Sequence, residues 1–380
     1  MKFIEDLVKH ASKRNQMVCG DTFLCERTLE STEFVICDGI GSGVYANVAA
    51  VSCANRLIEL FRRGVSLKYA CEKVADSMHR ARKEDAPFAA FSVAKILKDG
   101  QFTVYSYESP APILIKDGTA QPLKPYFYTA SYEIIGESSG TLGIGDSLVL
   151  CSDGATQAGL GNGYFFGIGA EGVADYINAK LSLGRSIRSL PKDIIEMCAR
   201  VSGGYHADDT TVGILRCREA TQLTIISGPP SAKAKDKDFA ERLLAADGKR
   251  VVCGSTTADI ISRELKKEAK LVKTDISFGS PPEYTMEGVD MVTEGAAMLN
   301  QVYNILDENP ERFIEESAAE RLCSLLQDAD VVTFVVGNAV NDAHKALLFK
   351  QMGIRPRAAT IKLLARQLRK MGKLVIQEEY

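Results

Sequence analysis

Phe34-Val35-Ile36-Cys37-Asp38-Gly39-Ile40-Gly41-Ser42-Gly43 is an apolar run that stops at Asp-Gly and continues through alternating glycines. A second run, Leu148-Val149-Leu150-Cys151, passes into Ser152-Asp153-Gly154. In a third place, Ala207-Asp208-Asp209-Thr210-Thr211 leads into Val212-Gly213-Ile214-Leu215. Short apolar runs bounded by glycine read as buried strands, so each sets a carboxylate at the rim of a core. Glycine after the aspartate lets the chain turn sharply and bring a main-chain carbonyl close to an ion, where a Cβ would obstruct. Carboxylates gathered at strand ends, with no histidine among them, suit a hard cation such as magnesium or manganese. The glycine-rich turn can also cradle a phosphate on backbone N–H groups. As a dinucleotide signature it fails, because GxGxxG is not matched.

Around these segments the pattern is layered. Met17–Glu26 and Glu33–Cys37 read as strands joined by a polar turn. Val44–Arg63 reads as a helix with Val48, Val51, Leu57, Leu60 and Phe61 facing a core, ended by Gly64. A second helix, Leu67–Arg82, carries Ala70, Val74 and Met78 on one stripe. Strands follow at Ala90–Leu97, Phe102–Ser106 and Ile113–Lys116, with hairpin signals at Lys98-Asp99-Gly100 and Lys116-Asp117-Gly118. Helices are expected at Gly172–Lys180 and Lys192–Arg200. The predicted fold class of this half is α+β, ending near Cys217.

A different pattern begins near Gln222. Leu223–Ile226, Val251–Cys253, Val331–Val336 and Leu374–Ile376 read as strands. Helices Phe239–Ala246, Ala258–Lys270, Gly295–Leu306, Ser317–Gln327, 342–352 and 358–371 alternate with them. Such alternation predicts an α/β domain with a mainly parallel sheet. Two domains are therefore expected, 1–218 and 219–380.

Bulk properties narrow the function classes. The 380 residues are 46% hydrophobic and 25% charged, as in an ordinary soluble protein. A formal charge of −3 gives no global attraction to nucleic acid or to an anionic membrane. No apolar stretch approaches the length of a membrane span, and the first residues do not read as a secretory signal, so a cytoplasmic protein is expected. The ten cysteines include no CxxC pair, and with only four scattered histidines they offer no zinc spacing. Buried reduced thiols are the expected state.

The segments Cys19-Gly20-Asp21-Thr22-Phe23, Asp38-Gly39-Ile40-Gly41-Ser42-Gly43, Ser152-Asp153-Gly154-Ala155-Thr156 and Asp208-Asp209-Thr210-Thr211 resemble the motifs of the metal-dependent serine/threonine protein phosphatases of the type 2C superfamily. They are most similar to the bacterial branch typified by sporulation stage II protein E. The resemblance covers about residues 10–217. It implies a β-sandwich flanked by helices, with two Mn²⁺ or Mg²⁺ ions between the sheets. Asp38 is then expected to bridge both ions and Gly39 to lend its carbonyl. Asp153 and Asp208 are expected to bind one ion, and Asp21 to orient water around them. Asp209 stands where relatives often have Asn. The implied chemistry is in-line attack on phosphorus by a water that two ions acidify. The phosphate-binding arginine of eukaryotic members has no clear counterpart. Lys13 and Arg14 are candidates for that role or form a solvated basic turn. His206 either assists leaving-group protonation or packs a loop. The metal-binding flap of larger relatives is not recognisable.

In the second half, Val251-Val252-Cys253-Gly254-Ser255-Thr256-Thr257-Ala258 is a strand, a small-residue turn and a helix start. Its hydroxyls and free N–H groups either cap the helix or form an anion site. The order of segments resembles the ribose-5-phosphate isomerase and CoA-transferase-like fold, with Glu287-Gly288-Val289-Asp290 in the place of that fold's acidic segment. On that resemblance Ser255, Thr256, Thr257 and Asp290 are candidates for a ligand site. The domain is expected to sense an anionic small molecule.

The expected function is two-metal hydrolysis of phosphoserine or phosphothreonine on a bacterial signalling phosphoprotein, such as an anti-sigma-factor antagonist. The other readings are a catalytically degenerate scaffold and a phosphatase of a small metabolite.

Overall fold

A computed structural model describes residues 1–272, 282–313, 317–339 and 353–380. The expected helix 342–352 lies outside the described residues. The chain forms two compact units, Met1–Glu219 and Ala220–Tyr380.

The first unit is built on two antiparallel sheets. Its strands are β1 (Lys2–Ala11), β2 (Asp21–Arg27), β3 (Ser31–Gly39), β4 (Ala89–Leu97), β5 (Gln101–Tyr107), β6 (Ile113–Lys116), β7 (Thr119–Pro122), β8 (Tyr126–Ala130), β9 (Glu133–Thr141), β10 (Ser147–Cys151) and β11 (Thr210–Glu219). One sheet has the order β2-β3-β4-β5-β9-β8 and the other β1-β11-β10-β6-β7. Ile4, Phe34, Ile36, Ala94, Ile96, Val104, Leu148, Leu150 and Leu215 fill the space between them. Helices α1 (Gly43–Arg62) and α2 (Leu67–Lys83) cover the outer face of the first sheet. Beyond β10 come the single turn α3 (Asp153–Thr156), then α4 (Gly169–Ser182) and α5 (Leu190–Val201), which cover the outer face of the second. The layers run helix, sheet, sheet, helix, the α+β sandwich expected from the sequence.

The packed face of α1 differs from the expected one. Val48 and Val51 are 53% and 38% exposed, while Ala46, Ala49, Ala50, Cys53, Ala54, Leu57 and Ile58 are buried. Small side chains let the helix lie close to β3, and the nearest approach is at Gly39. A Cβ there would stand 1.8 Å from the Ala46 carbonyl oxygen.

The second unit has a seven-stranded sheet of order β14-β15-β16-β13-β12-β17-β18. These are β12 (Gln222–Ser227), β13 (Lys249–Cys253), β14 (Lys270–Leu271), β15 (Glu283–Met286), β16 (Val289–Thr293), β17 (Val331–Val336) and β18 (Leu374–Glu379). The five from β16 to β18 run parallel, and β14 and β15 add an antiparallel edge. Helices α6 (Asp236–Leu244) and α7 (Ser255–Leu265) pack on one face; α8 (Ala296–Ile305), α9 (Ala318–Asp328) and α10 (Arg357–Lys370) pack on the other. Helix α7 starts three residues earlier than expected and stops at Leu265, where Lys266 turns left-handed with φ 54°. Strand order reverses between β12 and β17, which makes the carboxyl ends of these two strands the topological switch point of the sheet.

Candidate metal centre and the Arg357 site

Four of the candidate aspartates meet at one end of the sandwich. Asp21 and Asp38 face each other as cross-strand partners on β2 and β3. Residues Phe34 and Ile36 point into the inter-sheet core, so Asp38, in the same alternation, points to the open end of that space. Asp153 opens α3 directly after β10, and its Oδ2 accepts the Gln157 side-chain amide at 2.8 Å. Asp208 precedes β11 and pairs with the Lys13 ammonium at 3.3 Å. Asp209 is buried; its Oδ1 accepts the Lys13 N–H at 2.9 Å. Asp209 thus fastens the 13–14 turn to the sandwich.

The electrostatics are those of a crowded acidic cluster. Burial pushes Asp38 up to about 10, and repulsion from Asp21, Asp153 and Asp208 adds to the rise. Burial raises Asp153 too, and it raises Asp21 to about 6 although the Ser152 hydroxyl opposes that rise. Asp21 Oδ2 accepts the Ser152 hydroxyl at 2.7 Å, while Oδ1 is buried with no hydrogen-bond partner.

Among the described residues, no three His, Cys, Asp or Glu side chains stand in a closed metal-ligand arrangement. The Lys13 ammonium supplies positive charge beside Asp208. The residues nevertheless fit hard divalent cations. They are oxygen donors only, burial makes their charge costly without a counterion, and one carboxylate oxygen is orphaned.

Lys13 lies against the cluster, whereas Arg14 is exposed and stacks on Tyr205, 4.9 Å from the ring centroid. The His206 carbonyl accepts the Arg14 N–H at 2.9 Å; burial lowers the pKa of its ring. The sequence motif leaves Ser152 without a role, and position is what identifies it: a hydroxyl one residue before a rim aspartate, directly after β10, the strand beside β11.

In the second unit the four candidate residues do not come together. Ser255 and Thr256 are exposed in the first turn of α7, and no side chain caps that helix, whose N-cap is Gly254. Thr257 is buried and its hydroxyl accepts the Gly228 N–H at 2.7 Å. Asp290 sits at the other end of the parallel strands, bound to Lys249 and to the Arg250 N–H at the start of β13. Ser255 follows the end of that strand, roughly 16 Å away at the usual rise per residue. A residue that the sequence did not single out takes the crevice instead. The Arg357 guanidinium lies where a Cβ on Gly228 would stand, 2.0 Å from Cζ, and donates to the Gly337 carbonyl at 2.7 Å. Gly228 and Gly337 follow β12 and β17, so Arg357 occupies the switch point. Among the described residues its Nε is buried without a partner, and burial lowers its pKa.

A two-sheet sandwich flanked by helices, with acidic strand ends at its open edge, is the architecture expected from the resemblance to type 2C phosphatases. Residues 30–218 match the family model of stage II sporulation protein E, SpoIIE. The first unit of the chain belongs to that family and is a serine/threonine protein phosphatase domain. No curated protein sequence is significantly similar to the chain. Similar solved structures include the RsbU and RsbW domains of Rv1364c from Mycobacterium tuberculosis, with 20% identity, TM-score 0.49, and 63% of this chain and 67% of that one covered. They also include the phosphatase domain and a regulatory fragment of SpoIIE from Bacillus subtilis, with 18% identity, TM-score 0.49, and 58% and 64% covered. RsbX in complex with magnesium is similar over 57% of this chain and 100% of its own, with 18% identity and TM-score 0.41. Among the described residues no helix is long and apolar enough to cross a membrane.

Proposed function

We propose that the first unit removes phosphate from phosphoserine or phosphothreonine of a signalling protein, an anti-sigma-factor antagonist being the substrate type the family suggests, with two Mg²⁺ or Mn²⁺ ions. The observation that carries this reading is the meeting of Asp21, Asp38, Asp153 and Asp208 at one end of the sandwich, with Asp21 Oδ1 buried and unpartnered, a cluster whose charge calls for cations. Bound divalent ions supply a nucleophile from water at neutral pH and neutralise phosphoryl charge. Asp38, the Gly39 carbonyl, Asp153 and Asp208 are the groups to hold them. Asp21, fixed by Ser152, has a free buried oxygen with which to orient water or take its proton. Lys13 is the cation placed to meet a phosphoryl oxygen once Asp208 is otherwise engaged. A phosphatase assay with Mn²⁺, with chelator, and with Asp38→Ala or Asp153→Asn tests the reading. Activity that survives chelation sinks it.

For the second unit, the Arg357 crevice supports a sensor of an anionic small molecule. Among the described residues the guanidinium has no carboxylate partner; a partly buried charge so placed is costly, and a phosphate ester at the switch point offsets that cost. Thermal-shift measurements on the full chain with sugar phosphates, nucleotides and CoA esters check it. A shift lost in Arg357→Met supports the sensor; no shift with any of them overturns it.

A further inference from the structure

The open end of the sandwich continues sideways from Asp153 as a cleft of about 610 Å³. One cross-strand row runs beneath it from Ser92 through Ser106 and Gly136 to Phe127. The row ends at the edge strand and begins two residues along β4 from Ala90, the partner of Asp38. It opens as a ladder of hydroxyls, with Ser92 Oγ 3.1 Å from Ser106 Oγ and donating to Ser109 Oγ at 2.9 Å. At its far end Phe127 and Ile134 are 64% and 62% exposed although they line a concavity. Gly136 makes this possible: a Cβ there would stand 3.0 Å from Phe127 Cε1, so the ring rests on bare backbone. Asp153, Thr156 and Gln157 form the facing wall. Glu108 and Glu133 also line the cleft, but they are paired with Arg82 and His79.

Length selects the occupant. From Asp38 on β3 to Phe127 on β8 is four strand spacings, roughly 19 Å. A small phosphate ester held at the carboxylates does not reach the aromatic end. An extended polypeptide spans it in about five or six residues. We propose that this cleft docks the substrate phosphoprotein, taking an apolar side chain about five residues from the phosphorylated one against Phe127 and Ile134. The inference rests on the phosphatase reading of the adjoining aspartates, with which the cleft is continuous.

The test uses the full chain, Mn²⁺, p-nitrophenyl phosphate and phosphoserine peptides of about 13 residues in which one leucine is moved along an otherwise polar sequence. The wild-type protein is expected to show its highest kcat/KM when leucine lies four to six residues to one side. Phe127→Ser with Ile134→Ser lowers that kcat/KM about tenfold or more and flattens the leucine preference. Turnover of p-nitrophenyl phosphate and the Mn²⁺-induced thermal shift stay unchanged. Ile134→Glu alone, at an exposed position, serves as the second variant and gives the same loss. A leucine preference that survives both variants overturns the docking inference, as does a parallel loss of p-nitrophenyl phosphate turnover. Wild-type protein inert toward every phosphate ester overturns the phosphatase reading and this inference with it.

Discussion

Ser152 holds Asp21 across the open end of the sandwich: its hydroxyl donates to Asp21 Oδ2 at 2.7 Å and accepts the Thr211 N–H at 2.8 Å. One side chain thereby ties β2 to the junction of β10 and β11. Ser152→Ala leaves a buried carboxylate oxygen and a buried N–H unsatisfied, at a cost of about 1–3 kcal/mol. Urea denaturation reads that loss. A fall in kcat larger than any change in KM is expected alongside it, because Asp21 loses its orientation.

Asp38→Asn is expected to stabilise the metal-free protein while abolishing Mn²⁺-dependent activity and the Mn²⁺-induced thermal shift. The amide keeps the shape of the carboxyl and removes a group that burial and three neighbouring carboxylates hold at about 10. A melting temperature in chelator below that of the wild type would count against the acidic cluster as a source of strain.

The same pKa sets a pH dependence. Asp38 has a folded pKa of about 10 against 3.8 for the free side chain, and Asp21 one of about 6. The folded state therefore holds protons that the unfolded chain has released. The contribution is fully present below about pH 3.8 and is lost as pH rises through 6 for Asp21 and 10 for Asp38. Divalent cations must displace these protons, so their affinity rises with pH, by up to about tenfold per unit for each proton released. Calorimetric titration of Mn²⁺ at several pH values between 6 and 8 measures the slope. A flat profile contradicts the proton assignment.

Gly39→Ala places its methyl against the Ala46 carbonyl, 1.8 Å from the oxygen. Neither backbone segment yields without lifting α1 from β3. A destabilisation of at least about 3 kcal/mol is expected, read by chemical denaturation.

The corrected face of α1 gives a paired test. Val48→Lys and Val51→Lys fall on the outer side of the helix and shift stability within about 0.5 kcal/mol. Ala50→Leu, on the buried side, costs about 1–3 kcal/mol. The opposite ranking restores the valine stripe as the core.

The rim aspartates were legible in the sequence because strand and turn leave a local trace: apolar residues, an acid, then glycine. The α1 face was not, because hydropathy favours valine while close packing against β3 at Gly39 favours alanine. Strand β1 was missed for a related reason. Lys2–Ala11 mixes charges with apolar residues in no clean alternation, and only its partner β11, at the far end of the unit, makes it a strand. Asp290 was misplaced because order along the chain does not say which end of a parallel strand a residue occupies. Arg357 carries no local signal; its meaning comes from three segments far apart in sequence that meet at Gly228.

The pairing of β1 with β11 runs from Lys2 opposite Glu219 to Ala11 opposite Thr210. Residues 13 and 208, just beyond the last rung, are therefore brought together by the first and last strands of the unit. The junction therefore cannot form until β11 has been synthesised and is free to pair with β1. Closure over so long a stretch of chain is slow compared with forming local helices and hairpins. The Lys13–Asp208 side of the site thus assembles late, once the last strand of the unit is in place beside the first.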